Sequence, residues 1–253
     1  MLLKWWRNRR RRQWLNEPFP STWEPHLTAI PFFQKLNGDD QKHLRNLVHV
    51  FIREKNWEGC GGLELNNQIK VVIAAQACLL ILRLDHDYYH NVNSILVYPS
   101  AFYNNMPSAG PGGVVGTSNT PHAGEAWLGG EVILAWDSAF AGGRNPEDGH
   151  NTVIHEFAHK LDMLDGSADG APPLGDREQQ KRWAEVLSEH FAHLRQATAA
   201  GRRTLIDSYG TTNAAEFFAV ASEVFFEKGA QLQRIRPDLY DCLCQFYGQD
   251  PAA

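Results

Sequence analysis

Cysteine is scarce in this chain and is not arranged to build a scaffold. Of 253 residues only four are cysteine, at positions 60, 78, 242 and 244, and no two form a C-x-x-C pair. On a helix, Cys242-x-Cys244 would point its thiols about 200° apart, a poor chelate. A disulfide-stapled fold is therefore excluded, and the four thiols read as reduced and mostly buried in a cytoplasmic protein. Long apolar runs are missing too. The richest, from Val71 to Leu84, is interrupted by Gln76 and Arg83, short of the roughly 20 apolar residues that span a bilayer. No secretory leader is expected, because only Met1-Leu2-Leu3 and two tryptophans accompany the first charges and no apolar stretch follows.

What is present suits a soluble globular chain. It is 43% hydrophobic and 21% charged, with a mean hydropathy of −0.40, enough to bury one substantial core. The net charge of −5 conceals an asymmetry. Residues 1–12 carry Lys4, Arg7, Arg9, Arg10, Arg11 and Arg12 and no acid, which leaves 18 basic and 29 acidic residues for the rest. An acidic body disfavours direct nucleic-acid binding. The basic segment reads as a solvated, partly helical tail, or as a weak peripheral contact with anionic lipid through Trp5, Trp6 and the arginines.

Along the chain, Trp14 to Pro31 is rich in proline and aromatics and reads as irregular. Apolar spacing through Leu44, Leu47, Val48, Phe51 and Ile52 predicts a helix over Asp39 to Lys55. Residues 69–84 suit a helix, although Val71-Val72-Ile73 also suits a strand. Ser94 to Tyr98 and Glu131 to Trp136 read as strands. Between them the glycine- and proline-rich stretch from Asn104 to Gly124 is expected to rim a cleft. Helices are predicted over Arg177 to Ala200, Asn213 to Lys228 and Pro237 to Tyr247. With no repeat and no linker, the chain divides into a basic tail (1–12) and a single domain (13–253) with a helical N-terminal part.

The most informative residues are His155-Glu156-Phe157-Ala158-His159, the H-E-x-x-H pattern. A shuffled chain of this composition would hold roughly 0.03 such patterns, so chance is a poor explanation. Histidines at i and i+4 share a helix face and can meet one ion. Glu156, about 100° round the wheel, is placed to act on a metal-held water as general base. Val153, Ile154, Phe157, Ala158, Leu161 and Leu164 form an apolar stripe opposite His155, His159 and Asp162, with Asn151 as N-cap and Gly166 as stop. Asp162 reads as a support behind the ligands or a clamp on the following loop. His86-Asp87-Tyr88-Tyr89-His90 repeats the histidine spacing, but aspartate replaces the glutamate and the residues that follow turn towards a strand.

A catalytic zinc site commonly has three protein ligands and one open position. Here the extended pattern's third histidine is absent, since Asp162 and Asp165 stand where it needs glycine and histidine. A distant carboxylate is the expected third ligand. Glu216 and Glu223 lie seven residues apart on one face of an apolar helix. Glu216 also fits a capping box with Asn213, and Glu223 also fits an acceptor behind a ligand imidazole.

The block His155 to Asp162 together with Tyr209-Gly210-Thr211-Thr212-Asn213-Ala214-Ala215-Glu216-Phe217-Phe218-Ala219 resembles the Mlc titration factor A (MtfA) family of bacterial zinc peptidases. The catalytic core of anthrax lethal factor is similar in its H-E-F-x-H helix and Tyr-x6-Glu spacing. The resemblance implies an α+β, zincin-like metallopeptidase domain, with a small mixed sheet and an active-site helix flanked by helices. It implies Zn2+ held by His155, His159 and Glu216, with Glu156 as base and Tyr209 facing the substrate. It further implies aminopeptidase-like cleavage of a peptide substrate and an interaction with a transcriptional repressor protein. The alternative is a zinc-containing, regulator-binding protein with little or no catalysis.

Overall fold

The computed structural model describes residues 2–84, 87–103, 108–109, 115–116, 121–127 and 129–253. The chain begins with a helix α1 (Leu2–Leu15), two short helices α2 (Glu24–Thr28) and α3 (Pro31–Lys35), and the long α4 (Gly38–Glu54). A strand β1 (Asn56–Gly59), the helix α5 (Asn67–Leu80) and the strand β2 (Ser94–Tyr98) follow. Four two-residue strands come next, β3 (Phe102–Tyr103), β4 (Ser108–Ala109), β5 (Val115–Gly116) and β6 (Pro121–His122), then β7 (Gly124–Ala126) and β8 (Glu131–Ala135). The remainder is helical: α6 (Trp136–Arg144), α7 (Thr152–Asp162), α8 (Arg177–Ala199), α9 (Ala214–Glu227), α10 (Gly229–Ile235) and α11 (Pro237–Tyr247).

The main sheet has strand order β1-β2-β8-β7, with the first three parallel and β7 antiparallel at one edge. Side chains alternate as a half-covered sheet requires. Ile95, Val97, Val132 and Leu134 are fully buried, whereas Leu96 and Ile133 on the other face are only partly covered. α5 is apolar on nearly every side and runs through the core, so its helix-or-strand ambiguity resolves as helix. The side-chain oxygen of Asn66 caps it by accepting from Ile69 N. Asn37 caps α4 in the same way from Asp40 N. Phe157 of α7 packs edge-on against Phe51 of α4 and Tyr89, with ring centroids 5.7 and 4.9 Å apart, so the motif helix is anchored by its apolar stripe.

Three segments differ from the sequence expectation. The stretch from Trp14 to Pro31 is not irregular throughout, because α2 forms within it with Pro25 in its first turn, and Pro31 begins α3. β8 ends at Ala135, and Trp136 starts a helix instead of closing the strand. Strand β1 forms where no strand signal was legible. The expected cleft rim from Asn104 to Gly124 lies largely outside the described residues. At the N-terminus, α1 lies on α4, and Arg11, only 5% exposed, donates to Glu54 at 2.7–2.9 Å and to Asp87. No described helix is long and apolar enough to cross a membrane. All four cysteines are free.

Candidate metal and catalytic site

α7 begins where Asn151 Oδ1 accepts the Ile154 amide at 3.0 Å; past its end at Asp162 a 3-10 turn, Met163–Asp165, is closed by Gly166, whose φ of +96° is cheap only for glycine. It packs against α9, which starts at a second asparagine cap: Asn213 Oδ1 accepts the Glu216 amide at 2.9 Å. That cap leaves the Glu216 carboxylate free to reach across to α7. Its Oε2 lies 3.0 Å from His155 Nε2 and 3.4 Å from His159 Nε2, and the two imidazole nitrogens are 3.2 Å apart. A tetrahedral ion with bonds of about 2.05 Å holds its ligands about 3.3 Å from one another. The three donor atoms fit that geometry and could hold one metal ion. The donor set, two imidazoles and one carboxylate, is also the chemistry such an ion takes.

A second layer fixes these side chains. Glu223 Oε1 accepts from His155 Nδ1 at 2.8 Å, which aims Nε2 toward Glu216 and His159. The other oxygen of Glu223 accepts the Asn151 amide at 2.5 Å. Glu216 thus takes the cap position and also reaches both imidazoles, and Glu223 sits as the acceptor behind the His155 ring. Glu227, one turn further, accepts from Asn151 Nδ2 at 3.0 Å and from the Gly149 amide at 2.9 Å. Glu216, Glu223 and Glu227 form one face by their spacing of seven and four residues. Glu227, four residues after Glu223, carries the same spacing signal in the sequence.

Burial pushes Glu227 from 4.5 up to about 8, and the nearby Asp148 carboxylate adds to the rise. Lys228, on the same side, donates to Asp148 O at 2.6 Å. A folded-state pKa above the unfolded one means that stability is fully present below pH 4.5 and is lost as pH rises through about 8. Melting midpoints between those limits should therefore fall with pH in the wild type and fall less in Glu227→Gln. An unchanged slope in the variant would contradict the assignment.

The site is rich in carboxylates. Burial opposes charge on Glu216, but hydrogen bonds from His155 and His159 hold its pKa down at about 2. Burial also opposes charge on His155, yet Glu216 and Glu223 lift it well above 6.5. Glu156, 6% exposed, is pushed by burial to about 7, a value suited to taking and returning a proton near neutrality. β7 lies directly over it. A Cβ at Gly124 would fall 2.5 Å from Glu156 Oε1 and 2.7 Å from Thr152 Cγ2, so only glycine permits this approach. Tyr209 sits on a 3-10 turn, Ser208–Thr211, anchored by Asp207 Oδ1 accepting its amide at 2.7 Å. Its ring centroid is 6.0 Å from that of His155 and the residue is 53% exposed. Burial of its hydroxyl and then the charges of Glu216, Glu156 and Glu125 raise its pKa to about 12, so it stays a protonated donor. Glu125, on β7, was not singled out from the sequence.

Asp162 is fully buried and accepts the Gly170 amide at 2.9 Å, while Gly170 O accepts from Trp183 Nε1 at 2.9 Å. It clamps the loop after α7, one of the two roles its position suggested. Lys160, 1% exposed, donates to Trp127 O and ties the β7–β8 turn to α7. Of the second histidine pair, His86 lies outside the described residues, and Asp87 pairs with Arg7 and Arg11.

A mixed sheet with an antiparallel edge strand lying over an H-E-x-x-H helix, and a glutamate delivered from a second helix, is the architecture of a zincin-like metallopeptidase domain. Residues 3–248 match the family model described as glucose-regulated metallo-peptidase M90, and the chain belongs to that family. It is similar to the uncharacterized protein slr2042 of Synechocystis, 38% identical over 97% of this chain and 90% of that protein. It is also similar to proteins named Mlc titration factor A. The one from Escherichia fergusonii is 31% identical over 99% of this chain and 93% of its own length. The one from Cronobacter sakazakii is 32% identical over 92% and 87%.

Proposed function

We propose that this chain is a zinc-dependent peptidase of aminopeptidase type, with His155, His159 and Glu216 as zinc ligands, Glu156 as general base and Tyr209 as oxyanion donor. The observation that carries this is the convergence of three donor atoms within 3.0–3.4 Å of one another, beside a buried glutamate and a protonated tyrosine. When bound, zinc lowers the pKa of its water from about 15.7 to about 7 and polarises a carbonyl. Glu156 takes the proton of the attacking water and passes it to the leaving amine. Tyr209 donates its O–H to the oxygen on which charge develops. Glu223 keeps the His155 ring in its tautomer. β7, the edge strand of the sheet among the described residues, is the strand on which an extended peptide would lie. Glu125 on that strand puts an acid whose charge is felt by both Glu156 and Tyr209, which favours a substrate with a free ammonium group.

The test is a panel of amino-acid p-nitroanilides and their N-acetylated counterparts, assayed with the zinc-loaded protein. Cleavage of the free-amine substrates at least tenfold faster is expected. Equal rates would point to an endopeptidase. Cleavage of neither substrate, nor of longer peptides, would favour the second reading, a regulator-binding protein. That reading draws support from the relatives' name, Mlc titration factor A, and its partner would be a transcriptional repressor protein.

A further inference from the structure

α1 has two faces of opposite purpose. Arg7 and Arg11, one turn apart, point to the body and pair with Glu54 and Asp87. At about 100° per residue, Trp5, Trp6, Arg9 and Arg12 share the opposite arc. Trp5 is 54% and Trp6 55% exposed. Among the described residues five large hydrophobic side chains are exposed, and three of them, Trp5, Trp6 and Leu15, are on this helix. An ordinary solvated helix would not concentrate them so.

Arg9 of this outer arc, and Arg10 beside it, are arranged with aromatic rings. The Arg9 guanidinium lies 5.6 Å from the Trp5 ring and 5.9 Å from the Trp6 ring, and that of Arg10 lies 5.0 Å from Trp14. No ion pair to a carboxylate is found for Arg9, Arg10 or Arg12 among the described residues, in contrast to Arg7 and Arg11. Unpaired cations level with indole rings match the headgroup layer of an anionic bilayer, where indoles settle and arginines meet phosphates. Nucleic acid would use the cations but gives no reason for two adjacent exposed tryptophans. The acidic body, with 29 acidic side chains against 18 basic outside the first twelve residues, would be repelled from the same surface and so held off it.

We infer that α1 is a docking surface for an anionic lipid bilayer, which it would meet with Trp5, Trp6, Arg9 and Arg12 while Arg7 and Arg11 keep it fastened to the enzyme. The contact is peripheral and reversible, since a single short helix carries it.

The experiment is co-sedimentation of the full chain with vesicles of phosphatidylcholine alone or with about 30 mol% phosphatidylglycerol. Binding is expected only to the anionic vesicles and should weaken with added salt. Each arginine is worth about fivefold in partitioning, so Arg9→Gln/Arg12→Gln should lower it about 25-fold. Trp5→Ser/Trp6→Ser should lower it at least tenfold. Both variants leave Arg7 and Arg11 in place, and their melting curves and peptidase rates should match the wild type. No partition to anionic vesicles, or partition unaffected by either variant, would overturn the inference. So would retention on duplex DNA lost in the arginine variant and kept in the tryptophan variant, with no vesicle binding.

Discussion

Glu156→Gln is expected to keep its metal and to lose about 10²- to 10⁴-fold in kcat, the range that a positioned acid–base group supplies. The amide has nearly the carboxylate's shape, so the close fit under Gly124 is retained. It cannot accept the water's proton. The three donor atoms of His155, His159 and Glu216 do not involve this side chain, so metal content by elemental analysis should equal that of the wild type. The chemistry should fail while KM for a short peptide amide changes little, the signature of an interaction made only in the transition state. Unchanged turnover would remove Glu156 from the mechanism.

Glu216→Ala should have the opposite signature, with metal and activity lost together. Removing one of the three proposed ligands leaves two imidazoles, and the loss of affinity should exceed the 10- to 100-fold that an outer-layer partner costs. The fold should survive, because α9 is started by the Asn213 side chain on the residue 216 amide, a bond that alanine keeps. Metal titration followed by elemental analysis reads the first effect, and melting of the metal-free protein controls the second. A variant with full metal content would show that another side chain is the third ligand.

Much of the site was legible because it is local. The i, i+4 histidines, the Asn151 cap and the apolar stripe occupy one short segment, and each is set by helix geometry alone. The α9 glutamates were legible as a face, but which one reaches the imidazoles depends on how α7 and α9 cross. Spacing therefore left Glu216 and Glu223 open, and the packing gives them different partners. β1 was not legible. Its four residues, Asn56-Trp57-Glu58-Gly59, have no apolar alternation, and it is a strand because β2 pairs with it. α6 was missed because Gly142 and Gly143 depress its helix propensity and the preceding strand ran straight into Trp136. Glu125 and Gly124 could not be placed without the sheet, since only the antiparallel pairing with β8 carries them over Glu156.

Anomalous diffraction at the zinc edge, from crystals of the zinc-loaded full chain, addresses the heart of this account. One strong peak is predicted, about 2.0–2.2 Å from His155 Nε2, His159 Nε2 and a Glu216 oxygen together, with no fourth protein ligand. A peak bound elsewhere, or one that Glu216 does not touch, would contradict it.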